Sequence, residues 1–469
     1  MNSEQHYDLI VIGSGPAGQK AAIQASKLGK KVALVEKTRE VGGTCVYRGT
    51  IPSKTLRENA LRIKNMRMNA KIANFELNED LELATLITRL EEVLKAHDNY
   101  LGNQLERDHV TVLHGRAKFI SNTALEIIDV HGDEAIVSGE KFIIATGSFP
   151  RHPPNVPIDH ENIFDSDSVL SMLYLPKSLT VLGSGVIASE YASIFQALGV
   201  KVTIIDKYPG PLGFLDKDLT DTFIHAFEEM GGTWMGNSVV KSVHWNGFDS
   251  VVTVLEDGRE IKSAKLLCAA GRLASVEHLH IENAGLSLNE RGLISVDDDL
   301  KTDVDNIYAA GDVIGPPSLA SASMEQGRRA SCNAFSVKVG EMQQLLPAGI
   351  YSIPELSSVG MSEKQAREKL GDIIIGRAYF KEIARGQISG IQDGMLKIVS
   401  DKTGMDVLGV MICGEGATEL IHIGQMALLN SATIDSFVES IFNFPTLAEA
   451  YRAAALDVID QRTEHQETY

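Results

Sequence analysis

The sequence predicts an α/β protein in which two similar strand–loop–helix units precede a C-terminal α+β domain. Two glycine-rich loops, at residues 13–18 and 183–188, each follow a short apolar run and precede a stretch with the apolar spacing of a helix. These loops do not recur after about residue 345, where strands and amphipathic helices alternate instead. A chain of 469 residues is long enough for several domains of ordinary size.

The first loop has the glycine spacing of a Rossmann-like dinucleotide-binding fold. An apolar run over residues 7–12 ends in Gly13-Ser14-Gly15-Pro16-Ala17-Gly18, and residues 19–28 have helical spacing. In this pattern the first glycine permits a tight turn, the second lets backbone N–H groups approach a pyrophosphate, and the third lets the helix pack against the strand. Glu36 ends the next strand at the offset of roughly twenty residues expected for an acid that binds a ribose hydroxyl.

The second loop repeats this arrangement with one change. Residues 179–182 lead into Gly183-Ser184-Gly185-Val186-Ile187-Ala188, in which alanine replaces the third glycine, and the following strand ends at Asp206. Two such units predict two dinucleotides, and we assign FAD to one unit and a nicotinamide to the other. An acid at position 206 favours a ribose 2′-OH and repels a 2′-phosphate. Lys207 offsets that repulsion, so the sequence leaves the preference between NADH and NADPH open.

Three other apolar runs end in small residues and a glycine. They cover residues 142–148, 266–272 and 307–312. A glycine at such a position lets the backbone come close to a cofactor or to another chain segment. We therefore predict that Thr146, Gly147, Gly271 and Gly311 lie at a nucleotide site. Elsewhere the periodicity predicts helices over 53–69, 83–107 and 417–429 and short strands over 110–137.

Composition argues against several classes of partner. The 44 basic and 62 acidic residues give a net charge of −18, which disfavours binding to nucleic acid and to anionic membranes. The polar N-terminus shows no signal or transit peptide, and no apolar run is long enough to span a bilayer. The scattered cysteines lack the spacing of metal ligands or of an extracellular disulfide framework, so we expect a cytoplasmic protein without a bound metal. His422 is expected to be a core or interface histidine.

The segment 41–54 resembles the flavin-side active site of the pyridine nucleotide-disulfide oxidoreductases. It reads Val-Gly-Gly-Thr-Cys-Val-Tyr-Arg-Gly-Thr-Ile-Pro-Ser-Lys and contains the family's Gly-Gly-Thr-Cys and Ile-Pro-Ser-Lys. This FAD-dependent family includes dihydrolipoamide dehydrogenase, glutathione reductase and mercuric reductase, and the similarity covers the whole chain. Segments 49–54, 165–172, 311–321 and 442–452 are most similar to the transhydrogenase branch of the family.

Two departures from the family pattern remove the chemistry of disulfide reduction. Disulfide reductases of the family have a second redox cysteine where this sequence has Thr50, and a threonine hydroxyl cannot form a disulfide with Cys45. They also have a His-x-His pair whose second histidine is the acid–base catalyst, but here Phe442 and Phe444 occupy these positions. Phenylalanine cannot carry a proton, although the glutamate that orients the histidine is retained as Glu449. We therefore expect no activity on dihydrolipoamide or glutathione.

The resemblance implies roles for the remaining site residues. Lys54 matches the lysine that lies against flavin N5 and Glu190 matches its ion-pair partner, so these two form the predicted catalytic pair. Asp312 matches the residue that binds the flavin ribityl chain, and Cys45 is expected to be a packed neighbour of the cofactor. The full predicted cofactor site comprises these four residues with Gly13, Gly15, Pro16, Ala17, Gly18, Glu36, Gly43, Thr44, Thr50, Thr146, Gly147, Gly183, Gly185, Val186, Ile187, Asp206, Lys207, Gly271 and Gly311.

The resemblance also implies a domain division and an activity. Residues 1–152 and 276–345 are assigned to FAD binding, 153–275 to NAD(P) binding and 346–469 to dimerisation, in a homodimer or higher homo-oligomer. The predicted reaction is hydride transfer from NADPH to NAD through FAD in a ping-pong cycle. The alternatives are an NAD(P)H:quinone reductase or diaphorase of the same fold, and a flavoprotein subunit of a 2-oxo acid dehydrogenase complex. Neither alternative has a sequence feature in its favour beyond the shared fold.

Overall fold

The computed structural model describes residues 5–73, 83–172, 174–391 and 393–467. Residues 1–4, the start of the predicted polar N-terminus, lie outside this description. Two units built on sheets with parallel central strands are followed by a unit with an antiparallel sheet, which confirms the predicted fold class. The domain boundaries at 152, 275 and 345 stay predictions. Across the described ranges, no helix is both long and apolar enough to cross a membrane.

The first unit surrounds the N-terminal glycine loop. Its strands are β1 (Gln5–Ile12), β2 (Val32–Glu36), β3 (Thr111–His114), β4 (Arg116–Ser121), β5 (Ala124–Ile128), β6 (Glu134–Ile144) and β7 (Ser148–Pro150). Its helices are α1 (Pro16–Lys27), α2 (Gly43–Tyr47), α3 (Thr50–Ala73) and α4 (Leu83–Arg107). The sheet order is β3-β2-β1-β6-β5-β4. Since the C-terminal half of β1 and all of β2 are buried on both faces, these segments have continuous apolar sequences instead of alternating ones.

The strand β6 corrects two of the sequence predictions. It is a single strand of 11 residues, whereas we expected short strands up to residue 137 and a separate strand over 142–148. Its first half pairs antiparallel with β5, and its second half pairs parallel with β1. The strand ends at Ile144, so Thr146 and Gly147 lie in the turn that follows it. The predicted helix over 53–69 is also longer, because α3 begins at Thr50 and ends at Ala73.

The second unit surrounds the second glycine loop. Its strands are β8 (Ile163–Asp165), β9 (Ser178–Leu182), β10 (Lys201–Ile205), β11 (Thr233–Met235), β12 (Val240–Trp245), β13 (Val251–Leu255), β14 (Glu260–Ser263), β15 (Lys265–Cys268) and β16 (Arg272–Ala274), with helices α5 (Val186–Ala197) and α6 (Lys217–Glu229). A parallel sheet has the order β11-β10-β9-β15-β8, and β12-β13-β14 form an antiparallel sheet beside it. β16 pairs with β7 of the first unit, so a two-stranded ladder links the two units.

The chain then returns to the first unit before it enters the third. The strand β17 (Ile307–Ala309) pairs parallel with β6, and α7 (Ala320–Ala334) follows it. Short 3-10 helices lie at Val169–Ser171, Ile281–Ala284, Asp312–Ile314 and Phe380–Glu382. The first unit is therefore assembled from two separate stretches of sequence, with the second unit inserted between them.

The third unit packs helices on an antiparallel sheet of order β18-β19-β22-β21-β20. Its strands are β18 (Ala348–Ile350), β19 (Leu356–Gly360), β20 (Ile373–Tyr379), β21 (Met395–Asp401) and β22 (Val407–Cys413). Its helices are α8 (Glu363–Leu370), α9 (Ala384–Ser389), α10 (Ala417–Leu429), α11 (Ile434–Glu439) and α12 (Glu449–Glu467). α10 coincides with the helix expected over 417–429. Tyr451 of α12 is fully buried, and its hydroxyl donates a hydrogen bond to the Leu420 carbonyl of α10 at 2.8 Å.

A buried ionic cluster joins the second and third units. The Nζ atom of Lys397, whose side chain is 1% exposed, lies 3.0 Å from carboxylate oxygens of Asp216 and Asp218 and 2.7 Å from Glu363. Burial by itself lowers the pKa of Lys397, but the hydrogen bond that its ammonium group donates to Glu363 and the charges of the two aspartates outweigh this effect, so the pKa is raised. Burial likewise opposes ionisation of Glu363, yet hydrogen bonds from Lys397 and Arg367 hold its pKa below the usual value. The cluster holds the start of α6 against the third unit.

Candidate active site

A continuous cleft of about 2890 Å³ runs between the three units. It is lined by every residue of the predicted cofactor site except Gly18. A Cβ atom added to Gly18 would lie 1.8 Å from the Gly13 carbonyl oxygen, so this position serves the close packing of α1 against the loop. The structure therefore brings residues from positions 13 to 312 of the sequence to one cleft.

The first glycine loop forms a cradle at the start of α1. Gly13 has a φ of +100°, and an added Cβ would lie 2.4 Å from the Ala145 carbonyl oxygen, so only glycine fits. Gly15 has open space where its Cβ would be, which leaves the N-terminus of α1 accessible to an anionic group. Glu36 is buried, and one of its carboxylate oxygens accepts hydrogen bonds from the Ser14 backbone N–H at 3.0 Å and from the Ser14 hydroxyl at 2.6 Å.

The second glycine loop forms a closely similar cradle at the start of α5. Gly183 has a φ of +106°, and an added Cβ would lie 2.6 Å from the Ala269 carbonyl oxygen. The Asp206 carboxylate accepts a hydrogen bond from the Ser184 hydroxyl at 2.8 Å and another from the Tyr208 backbone N–H at 2.9 Å. In both cradles an acid at the end of the second strand is thus tied to the serine of the glycine loop.

Lys54 and Glu190 meet in the cleft as an ion pair. Lys54 Nζ lies 2.7 Å from Glu190 Oε2, and the Glu190 side chain is 5% exposed. The other carboxylate oxygen of Glu190 accepts a hydrogen bond from the Tyr351 backbone N–H at 2.9 Å, and Lys54 Nζ lies 4.8 Å from the centre of the Tyr351 ring. Tyr351 belongs to the third unit and was not predicted as a site residue, because its only signal in the sequence is the start of a new domain.

Cys45 and Thr50 both line the cleft, and the Thr50 hydroxyl is near enough to the thiol to affect its pKa. The four cysteines of the chain are all free. Burial raises the pKa of Cys45 above its ordinary value, although the hydrogen bond from Thr50 and the charge of Lys54 act in the opposite direction. Because the thiolate is the nucleophilic form of cysteine, this environment makes Cys45 a weak nucleophile. Cys45 is thus a partly buried side chain that forms no disulfide.

A polar network around Asp312 was missing from the sequence predictions. The Ser148 hydroxyl donates a hydrogen bond to Asp312 at 2.7 Å, and Arg272 Nε donates to the Ser148 hydroxyl at 2.9 Å. Arg272 Nη1 also lies 2.8 Å from Asp167. Ser148 lies on β7 and Arg272 on β16, so the network connects the first unit to the second along this ladder. Arg272 ends one of the three glycine-containing runs, which was the available signal.

The positions of the family's catalytic histidines hold side chains without acid–base chemistry. Phe442 packs against the core of the third unit, whereas Phe444 is 75% exposed. A Glu449 carboxylate oxygen accepts a hydrogen bond from the Thr446 backbone N–H at 3.2 Å and so stabilises the start of its own helix. His422 lines the cleft and is exposed in the chain, so it is not a core histidine, and its expected alternative role at an interface stays a prediction. Its Nδ1 atom lies 2.9 Å from the side-chain oxygen of Gln425.

The cleft has features that fit FAD in the first cradle. Among the described residues, the Thr146 hydroxyl oxygen is buried without a hydrogen-bond partner, and it lies beside Gly147 at the cleft. A ligand with hydroxyl or phosphate groups would satisfy it. The open N-terminus of α1 suits a pyrophosphate, and the carboxylates of Glu36 and Asp312 suit ribose and ribityl hydroxyls. This donor and acceptor set fits the dinucleotide.

Within the described part of the chain, His225, Glu229 and Asp393 are close enough together to hold a metal ion. They lie outside the cleft lining, and His225 and Glu229 are exposed. Exposed groups of this kind are common without a metal, so the expectation of a metal-free protein stays a prediction.

Known proteins resemble this chain along nearly its whole length. Residues 7–327 match the family described as pyridine nucleotide-disulphide oxidoreductase, and residues 346–455 match the dimerisation domain of that family. A protein named soluble pyridine nucleotide transhydrogenase from Mycobacterium tuberculosis (strain ATCC 25177 / H37Ra) is 41% identical over 459 residues, which cover 97% of this chain and 98% of that protein. A protein of the same name from Marinomonas sp. (strain MWYL1) is 38% identical over 456 residues, with coverage of 97% and 98%.

Solved structures show the same architecture. The HOCl-induced flavoprotein disulfide reductase RclA from Escherichia coli aligns with a TM-score of 0.86 and 30% identity, over 96% of this chain and 99% of that one. LpdA from Mycobacterium tuberculosis aligns with a TM-score of 0.88 and 25% identity, over 96% and 99%. The resemblance predicted from the sequence, including that to the transhydrogenase branch, is confirmed. The chain therefore belongs to the pyridine nucleotide-disulphide oxidoreductase family.

Proposed function

We propose that this protein is an FAD-dependent transhydrogenase that moves a hydride between NADPH and NAD. One observation carries the proposal: the Lys54–Glu190 pair of the flavin–nicotinamide half is present, while Cys45 faces a hydroxyl instead of a second sulfur. Without a second thiol, electrons cannot continue to a disulfide substrate. Relatives named soluble pyridine nucleotide transhydrogenase, at 38% and 41% identity, support the same reaction.

FAD is the proposed resident cofactor of the first cradle, and it supplies a site that accepts a hydride from one nicotinamide and returns it to another. Lys54 keeps a positive charge at the proposed flavin position, and Glu190 fixes the ammonium group through a hydrogen bond of 2.7 Å. The Tyr351 N–H holds Glu190 from the opposite side. This chain therefore contributes electrostatics and alignment, and needs no acid–base residue because hydride exchange between nicotinamides is chemically symmetrical.

The second cradle is the proposed nicotinamide dinucleotide site for both half-reactions. Gly183, Gly185 and the N-terminal turn of α5 at Val186 and Ile187 line the part of the cleft suited to a pyrophosphate. Asp206 is the proposed acceptor for the ribose. Since one cradle serves both nucleotides, the first product has to leave before the second nucleotide enters, which gives ping-pong kinetics. Lys207 belongs to this second cradle, and the predicted residues around the first cradle keep their assignment to FAD.

An acceptor panel on the purified yellow protein tests this function. NADPH is the donor, and thio-NAD, lipoamide, glutathione disulfide and a soluble quinone are the acceptors. We expect thio-NAD reduction well above a control with free FAD, with parallel double-reciprocal plots and negligible turnover of either disulfide. Faster turnover with the quinone would favour a diaphorase instead. Absent transfer to thio-NAD would reject the proposal.

We also propose a homodimer formed through the third unit. Residues 346–455 match the family's dimerisation domain, and Ile441, Phe444 and Met426 expose apolar surface there. Sedimentation of the holoenzyme tests this proposal, and a monomer at micromolar concentration would contradict it. The cytoplasm is the proposed compartment, because all four thiols are unpaired and the proposed substrates are nicotinamide dinucleotides.

A further inference from the structure

A second buried ion pair lies on α3, one helical turn beyond Lys54. Arg57 Nη2 lies 2.6 Å from Glu355 Oε1, and the two side chains are only 7% and 10% exposed. Residues three apart are neighbours on the surface of a helix, so Arg57 lies beside Lys54 on the same face of α3. Neither Arg57 nor Glu355 lines the cleft, so this pair is set back from the proposed cofactor.

Arg57 binds the short connection between β18 and β19, residues 351–355, at two points. Besides its contact with Glu355, its Nε atom donates a hydrogen bond to the Ser352 carbonyl at 3.2 Å. The other carboxylate oxygen of Glu355 accepts hydrogen bonds from the Thr418 backbone N–H at 3.0 Å and from the Thr418 hydroxyl at 2.8 Å. The connection is therefore fixed to α3 on one side and to the start of α10 on the other.

The connection also binds α5, the helix that carries Glu190. The Tyr351 N–H donates a hydrogen bond to Glu190 Oε1 at 2.9 Å. The Ile353 N–H donates another to the Ser193 hydroxyl at 3.0 Å. Glu190 and Ser193 are themselves one helical turn apart, so the backbone of the connection follows one face of α5.

These contacts form a closed circuit around the proposed catalytic pair. Lys54 binds Glu190, and Glu190 binds the connection through the Tyr351 N–H. The connection binds Arg57, which returns the circuit to the helix that carries Lys54. A displaced connection would withdraw the N–H group that holds Glu190, and the geometry of the catalytic ion pair would change with it.

We propose that Arg57 and Glu355 are positioning residues: their ion pair keeps the connection against Glu190 and so tunes the redox potential of the proposed flavin. This inference rests on the proposed function and deepens it, because it gives the third unit a part in hydride transfer. The rigid fork of a guanidinium can bind Ser352 and Glu355 together, which a lysine ammonium does not reproduce. Without this contact Glu190 moves away from Lys54, and the uncompensated ammonium charge favours the anionic reduced flavin.

The test measures the ratio of reduced to oxidised flavin in the holoenzyme by equilibrium titration against a reference dye. We expect Glu355→Gln to raise this ratio about threefold at a given dye potential, since the single amide oxygen cannot accept hydrogen bonds from both Arg57 and Thr418 as the carboxylate does. Arg57→Lys should shift the ratio in the same direction, although it keeps the positive charge. Glu58→Gln is the matched control, because it removes the exposed partner of the same guanidinium, 2.9 Å from Nη1, and should leave the ratio unchanged.

A double variant shows whether the effect passes through Glu190. Glu190→Gln removes the charge that the connection holds in place, so adding Glu355→Gln to it should change the ratio by less than about 1.5-fold. Retained FAD absorbance and melting temperature establish that each variant is folded. If Glu355→Gln does not retain FAD, Arg57→Lys takes its place, alone and combined with Glu190→Gln.

Three results would overturn the proposal. The first is an unchanged ratio in both single variants. The second is a shift in Glu355→Gln but none in Arg57→Lys, because charge and not position would then be the cause. The third is full additivity with Glu190→Gln, since the pair would then act on the flavin by another route. Failure of the proposed function is distinguishable, because transfer from NADPH to thio-NAD would be absent while the coupled shifts of the ratio remained.

Discussion

The exchange Glu190→Gln probes how the buried ion pair tunes the proposed flavin. Glutamine is isosteric and its side-chain oxygen can still accept the hydrogen bond from the Tyr351 N–H, but the negative charge 2.7 Å from Lys54 Nζ disappears. Direct attraction at this distance is about 6 kcal/mol at an effective dielectric constant of about 20. Solvation offsets most of it, and hydrogen bonds to charged groups retain about 1.5–3 kcal/mol net.

The flavin experiences this change through Lys54, so we expect roughly half of that net value, about 0.8–1.5 kcal/mol, in its redox equilibrium. For a two-electron couple the upper end of this range equals about 30 mV. The sign is positive, because an uncompensated Lys54 stabilises the anionic reduced flavin. Reduction by NADPH should then proceed at a similar rate, whereas return of the hydride to NAD should slow by up to about tenfold.

Equilibrium titration against a reference dye measures the potential, and stopped-flow absorbance at the flavin band measures the two half-reactions separately. Glu449→Gln is the matched control, because that glutamate only holds the start of its own helix. A potential that stays at the wild-type value or becomes more negative in Glu190→Gln would refute the electrostatic role of the pair. Equal slowing of both half-reactions would also contradict it and would indicate misalignment instead.

Three further variants test other parts of the structure. Thr50→Cys places a second sulfur beside Cys45, and we expect the two to form a disulfide. Thiol titration under denaturing, non-reducing conditions should then find two fewer free thiols than in the reduced variant. Lipoamide turnover should remain negligible, because the acid–base histidine is still missing. Lys397→Met removes the buried cation that three carboxylates share; Asp218 keeps Arg377 and Glu363 keeps Arg367, but Asp216 loses its ion pair, so the free energy of unfolding should fall by about 3 kcal/mol in urea titrations at pH 7. The pKa of Glu363 is lower in the folded protein than in the unfolded chain, so this carboxylate stabilises the fold fully above the unfolded pKa, and the stabilisation is lost as the pH falls through the folded pKa. The free energies of unfolding of the wild type and this variant should therefore converge in acid, and an unchanged difference at pH 3 would contradict this. Gly18→Ala forces a methyl group against backbone and should reduce bound FAD per chain, measured by absorbance after gel filtration, whereas a full complement of FAD would show that the helix can shift.

Local sequence was sufficient for the parts of the site that depend on a few adjacent residues. The glycine loops could be predicted because Gly13 and Gly183 adopt positive φ angles next to backbone oxygen atoms, a conformation open to glycine. The acids at positions 36 and 206 could be predicted because the helix and the strand after each glycine loop have a nearly constant combined length in this fold. The pairing of Lys54 with Glu190 was implied by family resemblance, since 136 residues separate them.

The predictions failed where distant segments decide the environment. Tyr351 reaches the cleft from the third unit, and no short motif marks it. Arg272 ends a glycine-containing run, but its partners Ser148 and Asp167 come from distant parts of the sequence. For His422 the sequence left a core and an interface position open, and the packing of the third unit excludes the core by leaving the side chain exposed at the cleft. β6 was divided wrongly because its two halves belong to different ladders of one sheet, and periodicity does not reveal a change of partner.

By itself, the sequence determined two nucleotide cradles, an α/β architecture with a different C-terminal domain, and the loss of the second thiol and the imidazole. These features depend on residue identity and on spacing along the chain, both of which can be read without a fold. Only the tertiary structure decided the other electrostatic partners: the Tyr351 N–H that binds Glu190, the three carboxylates around Lys397, and the Ser184 hydroxyl that binds Asp206. Electrostatic interactions act through space, so their partners are set by how the three units pack against one another.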